Sequence, residues 1–566
     1  MAEKVQEKKE IVRKEVEAEQ LFTEFKEHSV ADFFKKNKQM LGLSGKQRTL
    51  TTIIHELVTN SLDACEEAGI LPEIEVGLSE LGTEYYEISV VDNGPGIPED
   101  KVASALGKLL AGTKFHRLVQ TRGQQGIGVS GIILLSQMTT GKPTKVISGT
   151  NKGKTVSLEI AIDSKTNTPK VTDKHYLDNK FKGLALKCKF KDLIYKKGQN
   201  SIDEYLRRTA IANPHLTLQF QDPQGEITKY TRTVNKLPNI PTAVKPHPRG
   251  VTVDEMLTYA RHGSARKVNS FLTSTFDRFG QTAVDNIQKL VHFDLNKDPR
   301  ALSWEEAEDL IKAIKQTKFI APSTDNLVPI GEDHIKKSLK AIVEPEFLCV
   351  VTRKPTVYQG GYAFQVEAGV AYGGKAGRLV SVEKIKDKKE VVIEEVRASE
   401  IIRYANKAPL LFDAGGCAIT KTVESVDWKR YGVSNFDNSP ITVFVNLISV
   451  HIPYTSAGKS AVSDDSDIVN EIKLALMDVS RKVGIYIIEK KREEEKKEKK
   501  KVFAKYAPYV VEALVHTTGE KNKDLLLKNL SNMVLEKLKM EEAGVKAPED
   551  DVVEDDSTTE EEEFEE

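Results

Sequence analysis

The chain has 566 residues, enough for several domains that each bury a core of their own. Hydrophobic residues make up 39% and charged residues 30%, and no apolar run approaches the roughly 20 residues that a membrane-spanning helix needs, so no membrane partner is expected. Net charge is −1, but twelve of the 84 acids follow Lys546, where no base occurs; residues 1–546 carry 83 basic against 72 acidic side chains, a net of +11. A mildly basic body with an acidic tail is compatible with nucleic-acid contact and does not by itself demonstrate it.

The first residues, "MAEKVQEKKE", are charged where a secretory signal would be apolar, and the expected location is cytoplasmic. Cys65, Cys188, Cys349 and Cys417 lie far apart with no CxxC spacing, which argues against a zinc site and against a disulfide framework.

Residues 1–20 form a charged N-terminal segment, and residues 21–243 mix helical and strand patterns. Within them, "HELVTNSLDACEEAG" has helical periodicity and sets Glu56, Asn60 and Asp63 on one stripe. For one helix considered alone, a solvated face is the favoured explanation. The stretch "YYEISVVDNGPGIPED" reads as an alternating strand that stops in a turn. Asp92 at that strand end can accept a hydrogen bond from an exocyclic amine, while Gly94 and Gly96 allow a base to come close to the backbone. A plain tight turn would use the same residues. The glycines of "TRGQQGIGVSG" (121–131), followed by a helical pattern, suit a loop that holds phosphate at a helix N-terminus, although the loop is not a GxxxxGK[ST] motif.

The three prolines of "IPTAVKPHPRG" (240–250) mark a linker, after which residues 251–318 read almost wholly helical, with turns at Gly263 and Gly280. This defines a helical domain over 244–320. A mixed α/β domain follows over 321–490, with strand-like stretches such as "YAFQVEAGVAYGG" and "ITVFVNLISVHIP". It closes in a long, highly charged helix that reads as a stalk from about residue 468 onward; "SDDSD" (463–467) supplies its N-cap and first turn. Residues 491–546 are a helical extension and 547–566 an acidic disordered tail, with no internal repeat in the chain.

Three motifs in one order within about 75 residues resemble the GHKL ATPase family. Glu56, Asn60 and Asp63 match its first motif, Asp92, Gly94 and Gly96 its second, and Gly126 and Gly128 its third. The resemblance implies an α+β multidomain chain opening with a GHKL (Bergerat) α/β sandwich ATPase domain, and ATP with Mg²⁺ as its ligands. Glu56 would be the general base, Asn60 the Mg²⁺ ligand, Asp63 a supporting residue and Asp92 the reader of adenine. Residues 111–128 would form a lid, with Thr113, Lys114 and Gln124 as contacts and Ile127 and Val129 flanking its glycines. One departure stands out: the family often places Thr after a glycine on a later strand, where this chain has Gly183 followed by Leu184. Another hydroxyl or a water must then fill that role, or adenine selectivity is looser.

Over roughly residues 20–490, including "RYANKAPLLFD" and "IPYTSAGKSAV", the chain is similar to the B-subunit family of archaeal topoisomerase VI. That resemblance implies a helix-two-turn-helix insert, then an α/β transducer whose Lys459 reaches the γ-phosphate, and a long C-terminal stalk helix. It also implies an A₂B₂ heterotetramer with a DNA-cleaving A subunit, ATP-dependent self-dimerisation through the ATPase domains, and capture of double-stranded DNA. Two alternatives stay open at the level of sequence: another GHKL enzyme of mismatch-repair or chaperone type, and a nucleotide-gated DNA clamp without significant turnover.

Overall fold

The structure is a computed structural model that describes residues 36, 42–109, 118–122, 128–178, 180–359, 361–386, 390–456, 458–519 and 522–542. The expected lid residues Thr113, Lys114, Gln124, Gly126 and Ile127 lie outside the described residues, as do nearly all of the N-terminal segment and the acidic tail. The chain divides into two units, Met1–Val483 and Gly484–Glu566.

The first unit opens with helix α1 (Lys46–Glu67), which buries Leu50, Ile53, Ile54, Leu57, Val58 and Leu62 against an eight-stranded sheet. The sheet strands are β1 (Glu73–Gly82), β2 (Tyr85–Asp92), β3 (Thr144–Gly149), β4 (Thr155–Asp163), β5 (Thr168–Leu177), β6 (Gly183–Lys191), β7 (Thr217–Gln221) and β8 (Ile227–Tyr230). Their order is β5-β4-β3-β6-β2-β1-β7-β8, and the β1–β7 pair is parallel. Helices α2 (Glu99–Leu106), α3 (Gly128–Thr140) and α4 (Ile202–Ala212) complete this layer. Strand alternation explains its one-sided core: in β2, Tyr86, Ile88, Val90 and Asp92 are all buried, with partly exposed residues between them.

The turn after β2 is set into the sheet through glycines. Gly183 has φ +129, and a Cβ on it would stand 1.9 Å from the Asp92 carbonyl oxygen; a Cβ on Gly96 (φ +68) would stand 2.2 Å from the carbonyl oxygen of Gly149. Both contacts are backbone against backbone, so neither neighbour can give way by rotating a side chain.

Residues 253–316 form a helical subdomain with a core of its own, built by α5 (Val253–His262), α6 (Val268–Thr275), α7 (Gln281–Gln288) and α8 (Trp304–Gln316). Phe271, Phe276 and Phe279 stack edge-on or tilted within it. Reciprocal caps at Thr252/Glu255 and Ser303/Glu306 start α5 and α8, while Gly263 ends α5 and Gly280 begins α7.

The mixed region that follows starts with α9 (Glu332–Val343). Its six-stranded sheet comprises β9 (Phe347–Thr352), β10 (Thr356–Tyr358), β11 (Tyr362–Tyr372), β14 (Glu400–Ala405), β15 (Ala408–Pro409) and β16 (Ile441–Ser449). The order is β10-β11-β16-β14-β15 with β9 on β11, and β12 (Arg378–Lys386) pairs with β13 (Glu390–Ala398) as a separate hairpin. Every residue of β16 is buried, as expected of a central strand covered on both faces. This sheet shares a core with the first layer: Ile211 and Ala212 of α4 pack with Leu339, Ile402, Tyr404 and Phe444, and the Tyr404 hydroxyl donates to the Arg208 carbonyl at 2.9 Å. Helix α10 (Ala418–Glu424) follows β15.

Helix α11 (Ser466–Thr518) is continuous over 53 residues. The Asp465 carboxylate accepts from the N–H groups of Asp467 and Ile468 (3.1 and 3.4 Å), which caps its first turn. In the first unit it buries Ile468, Ile472, Leu476, Val479 and Val483 at helical spacing. The second unit contains the remainder of α11 and helix α12 (Lys523–Glu542). No helix among the described residues is long and apolar enough to cross a membrane.

Replacing Gly183 by Ala is expected to lower stability by about 3 kcal/mol, because it combines a disfavoured φ with a clash that only a backbone shift can relieve. Urea denaturation of the purified variant checks this.

Candidate nucleotide-binding site

The parity of β2 turns Asp92 toward the core, where a carboxylate must find donors. Its Oδ1 accepts from the N–H groups of Gly94 (2.9 Å) and Leu184 (3.1 Å), and its Oδ2 accepts from the Ser61 hydroxyl on α1 (2.8 Å). Burial pushes its pKa up, against the downward pull of these three hydrogen bonds. A carboxylate oxygen has two acceptor positions, and Ser61 takes one on Oδ2, so an amine donor can still be accommodated there. At the position where the family resemblance leads one to expect a threonine, Leu184 contributes its backbone N–H, while its side chain packs at the edge of the core. The hydroxyl beside Asp92 comes from Ser61, which no motif in the sequence singles out.

About two turns of α1 carry the expected stripe, and the structure divides it. Asn60 is exposed, and its Nδ2 donates to the Glu56 carbonyl at 2.6 Å, which leaves Oδ1 directed elsewhere. Glu56 is half-buried and faces the first residue of α3: a Cβ on Gly128 would stand 2.3 Å from Glu56 Oε2 and 3.7 Å from Asn60 Nδ2. A carboxylate, a carboxamide and the N–H-rich start of a helix are thus in contact, with Val129 packed behind them against the core.

Asp63, expected as a supporting residue, faces away from solvent. It is buried, and its Oδ1 accepts from Arg122 Nη1 at 2.7 Å. Arg122 is equally buried and also binds Glu66 through both terminal nitrogens (3.0 and 2.6 Å) and Asn213 Oδ1 (2.6 Å). A buried guanidinium needs countercharge, and this need draws Asp63 inward. Burial pushes the Glu66 pKa up, but Arg122 and the His215 imidazole, 2.8 Å away, outweigh it and hold the carboxyl well below its ordinary range. His215 itself is pushed down by burial, against the opposing pull of Glu66.

Lys459 sits in a loop with left-handed backbone (φ 51), its N–H donating to the Ser456 carbonyl at 3.1 Å. The next residue, Ser460, hydrogen-bonds Asp413, and both are held by Arg48 on the first turn of α1, whose guanidinium pairs with Asp413 at 3.0 and 2.8 Å. The loop therefore comes from the second sheet region but is fastened to α1. His55, beside Glu56, has its pKa lowered first by burial and further by the Lys459 charge, against the opposing effect of Glu56. The ammonium thus makes itself felt beside Glu56, midway along the helix.

Among the described residues no three His, Cys, Asp or Glu side chains converge as a metal site. The donor set fits one cation that keeps most of its own ligands: Asn60 offers a single oxygen, as suits Mg²⁺ when phosphates and water complete its shell.

Residues 322–500 match the family model described as topoisomerase VI B subunit, transducer, and residues 45–164 match the one for histidine kinase-, DNA gyrase B- and HSP90-like ATPases. The chain is 42% identical to the type 2 DNA topoisomerase 6 B-subunit of Pyrococcus horikoshii, across 93% of this chain and 99% of the relative. To the corresponding protein of Methanothermobacter thermautotrophicus it is 45% identical, across 87% of this chain and 92% of the relative. The chain belongs to the B-subunit family of type 2 DNA topoisomerase 6. Membership removes the mismatch-repair and chaperone alternatives, and the ATPase domain implies nucleotide binding. A solved gyrase B-subunit from Myxococcus xanthus overlaps 80% of this chain and 95% of its own length at 9% identity, with a TM-score of 0.39.

Two outcomes follow from the geometry. Gly128→Ala is expected to change the melting temperature little, since Glu56 can rotate away, yet to lower ATP turnover by roughly 100-fold through displacement of that carboxylate; thermal melting and a steady-state phosphate-release assay check both parts. Arg122→Met should destabilise the fold by about 3 kcal/mol, because it leaves the buried Asp63 and the partly buried Glu66 without their cation; denaturant titration measures it.

Proposed function

We propose that this chain is the ATP-binding and ATP-hydrolysing subunit of an ATP-dependent type II DNA topoisomerase, and that Asp92, Glu56, Asn60 and Lys459 serve its nucleotide site. The observation that carries this reading is the contact of Glu56 and Asn60 with the start of α3, on the same helix that sends Ser61 to Asp92.

In this reading the exocyclic amine of adenine donates to Asp92, while Gly94 and Gly96 are glycines because Asp92 and the carbonyl of Gly149 fill the space a side chain would need. The phosphates lie at the N-terminus of α3, where Gly128 and Val129 begin the helix and the N–H groups of its first turn are unsatisfied by the helix itself. Asn60 Oδ1 would hold Mg²⁺, which when bound neutralises developing phosphate charge. Glu56 orients the attacking water and takes its proton, and Lys459 meets the γ-phosphate, so that its loop responds to whether that group is present.

Hydrolysis is coupled to a clamp: two copies associate through their ATPase domains when ATP binds and enclose a DNA duplex. The transducer then signals a separate A subunit, which cuts the duplex within an A₂B₂ assembly that works in the cytoplasm. A net charge of +11 over residues 1–546 favours the approach of DNA.

Glu56→Ala is expected to bind nucleotide and to dimerise with a nonhydrolysable analogue, while its turnover falls at least about 100-fold. Phosphate release with light scattering measures both. Absence of turnover in the wild-type chain with DNA and the A subunit present would leave the binding-only clamp in its place.

A further inference from the structure

A cleft of about 840 Å³ opens where α4 meets the transducer, and none of Glu56, Asn60, Asp92, Gly128 or Lys459 lines it. One wall comes from α4 and the residues just before it, the other from β14, α10 and the start of the β12–β13 hairpin. Because β15 pairs only with Tyr404 and Ala405, the first residues of β14 are left as a sheet edge along the cleft. Its volume lies in the range of small-molecule sites.

The polar groups of the cleft do not satisfy one another. Glu400 pairs with Arg207, and Glu204 with Arg208, which also lies 3.5 Å from Glu400. Arg378, Arg397 and Arg403 have no carboxylate partner among the described residues: Arg378 donates to Gln199 Oε1 (3.4 Å), Arg397 to the carbonyls of Lys375 and Gly377, and Arg403 Nη2 to the Phe412 carbonyl (2.9 Å). Asp203, Glu424 and Asp437 also line the cleft, so its walls are close to neutral as a whole, and the demand for an anion comes from Arg403. This guanidinium is 2% exposed, and its Nη1 has no hydrogen-bond partner among the described residues. The same is true of Arg208 Nε and of the buried Thr420 hydroxyl. Arg403 stands beside Cys417, three residues before Thr420, so two of these donors share one corner of the cleft. One acceptor is open as well, since Glu400 Oε2 receives no donor among the described residues. A buried guanidinium without countercharge is costly, and a ligand that brings both an anion and a hydroxyl relieves the donors and the acceptor together.

We propose that this cleft is a second ligand site, which takes a phosphate ester of a small hydroxylated molecule: the phosphate meets Arg403 and Thr420, and a hydroxyl donates to Glu400. The planar guanidinium fork suits phosphate oxygens, and the cleft far exceeds the space of a bare phosphate, with Leu411 and Phe436 as apolar lining for the remainder. A bound ligand bridges α4 and the transducer. Its anchor, Arg403, also holds the carbonyl of Phe412, whose neighbour Asp413 fastens the Lys459 loop through Ser460. The site is independent of the ATPase reading given above.

The test uses the full chain, with the nucleotide site filled by a nonhydrolysable ATP analogue, and three probes: ribose 5-phosphate, inorganic phosphate and ribose. Calorimetry is expected to show one saturable ribose 5-phosphate site per chain with a Kd below about 1 mM, inorganic phosphate at least about tenfold weaker, and no heat from ribose. Thr420→Val exchanges an unpartnered hydroxyl for a methyl group; it should melt as wild type does and bind ribose 5-phosphate about tenfold more weakly. Arg403→Met should bind it at least about a hundredfold more weakly. Wild-type affinity in both variants, equal affinity for inorganic phosphate, displacement of the analogue by ribose 5-phosphate, or no binding at about 10 mM overturns the proposal. If Arg403→Met does not fold, Thr420→Val alone decides. If the analogue itself does not bind, the nucleotide reading fails, and the comparison of wild type with Thr420→Val still decides this one.

Discussion

A carboxylate buried at the end of a core strand forces three separate pieces of chain to meet. Asp92 continues the inward face of β2 beyond Val90, and burial without donors would cost several kcal/mol. The donors come from the turn that follows, from the first residues of β6 and from the middle of α1. Satisfying one side chain therefore fixes where α1 lies on the sheet, and with it where Glu56 and Asn60 point. The glycines of this region follow from the same constraint, since Gly183 and Gly96 face carbonyl oxygens at distances that admit no side chain.

Toward the C-terminal end of α1 the polar side chains turn inward. Arg122 gathers Asp63 and Glu66 into a buried cluster that reaches Asn213 and His215. Such clusters contribute little net stability, because desolvation offsets most of the attraction, but they impose one geometry on the elements that share them. Here those elements are α1, the segment 120–122 and the turn at Asn406 and Lys407. The Arg48–Asp413–Ser460 contact does the same for the loop that carries Lys459. Two polar ties and one apolar core, around Tyr404 and Ile211, thus connect the second sheet to the nucleotide layer.

Much of this was legible in the sequence because it is local. The spacing of Glu56 and Asn60, the alternation of β2 ending at Asp92, the helices of the insert with their breaks at Gly263 and Gly280, and the Asp465 cap of α11 all depend on neighbours within a few residues. What escaped depends on partners far along the chain. Ser61 sits on the apolar stripe of α1 with Leu57 and Ile54, and a hydroxyl at such a position signals a buried partner without naming it. Asp63 has the same helical phase as Asn60, so only the arrival of Arg122 from 59 residues away separates their roles. Arg403 left one trace, an arginine amid the apolar residues of β14, and that trace has meaning only once the cleft beside the strand is known.

The most direct measurement is the equilibrium affinity of the wild-type chain for ATP and for purine riboside triphosphate, which lacks the exocyclic amine, by calorimetry at matched Mg²⁺. If adenine docks on Asp92, loss of that amine leaves a buried acceptor unpaired and should weaken binding by about 1–3 kcal/mol, roughly five- to 150-fold. Equal affinity for the two nucleotides would mean that Asp92 only holds the fold together, and the nucleotide would have to be placed elsewhere.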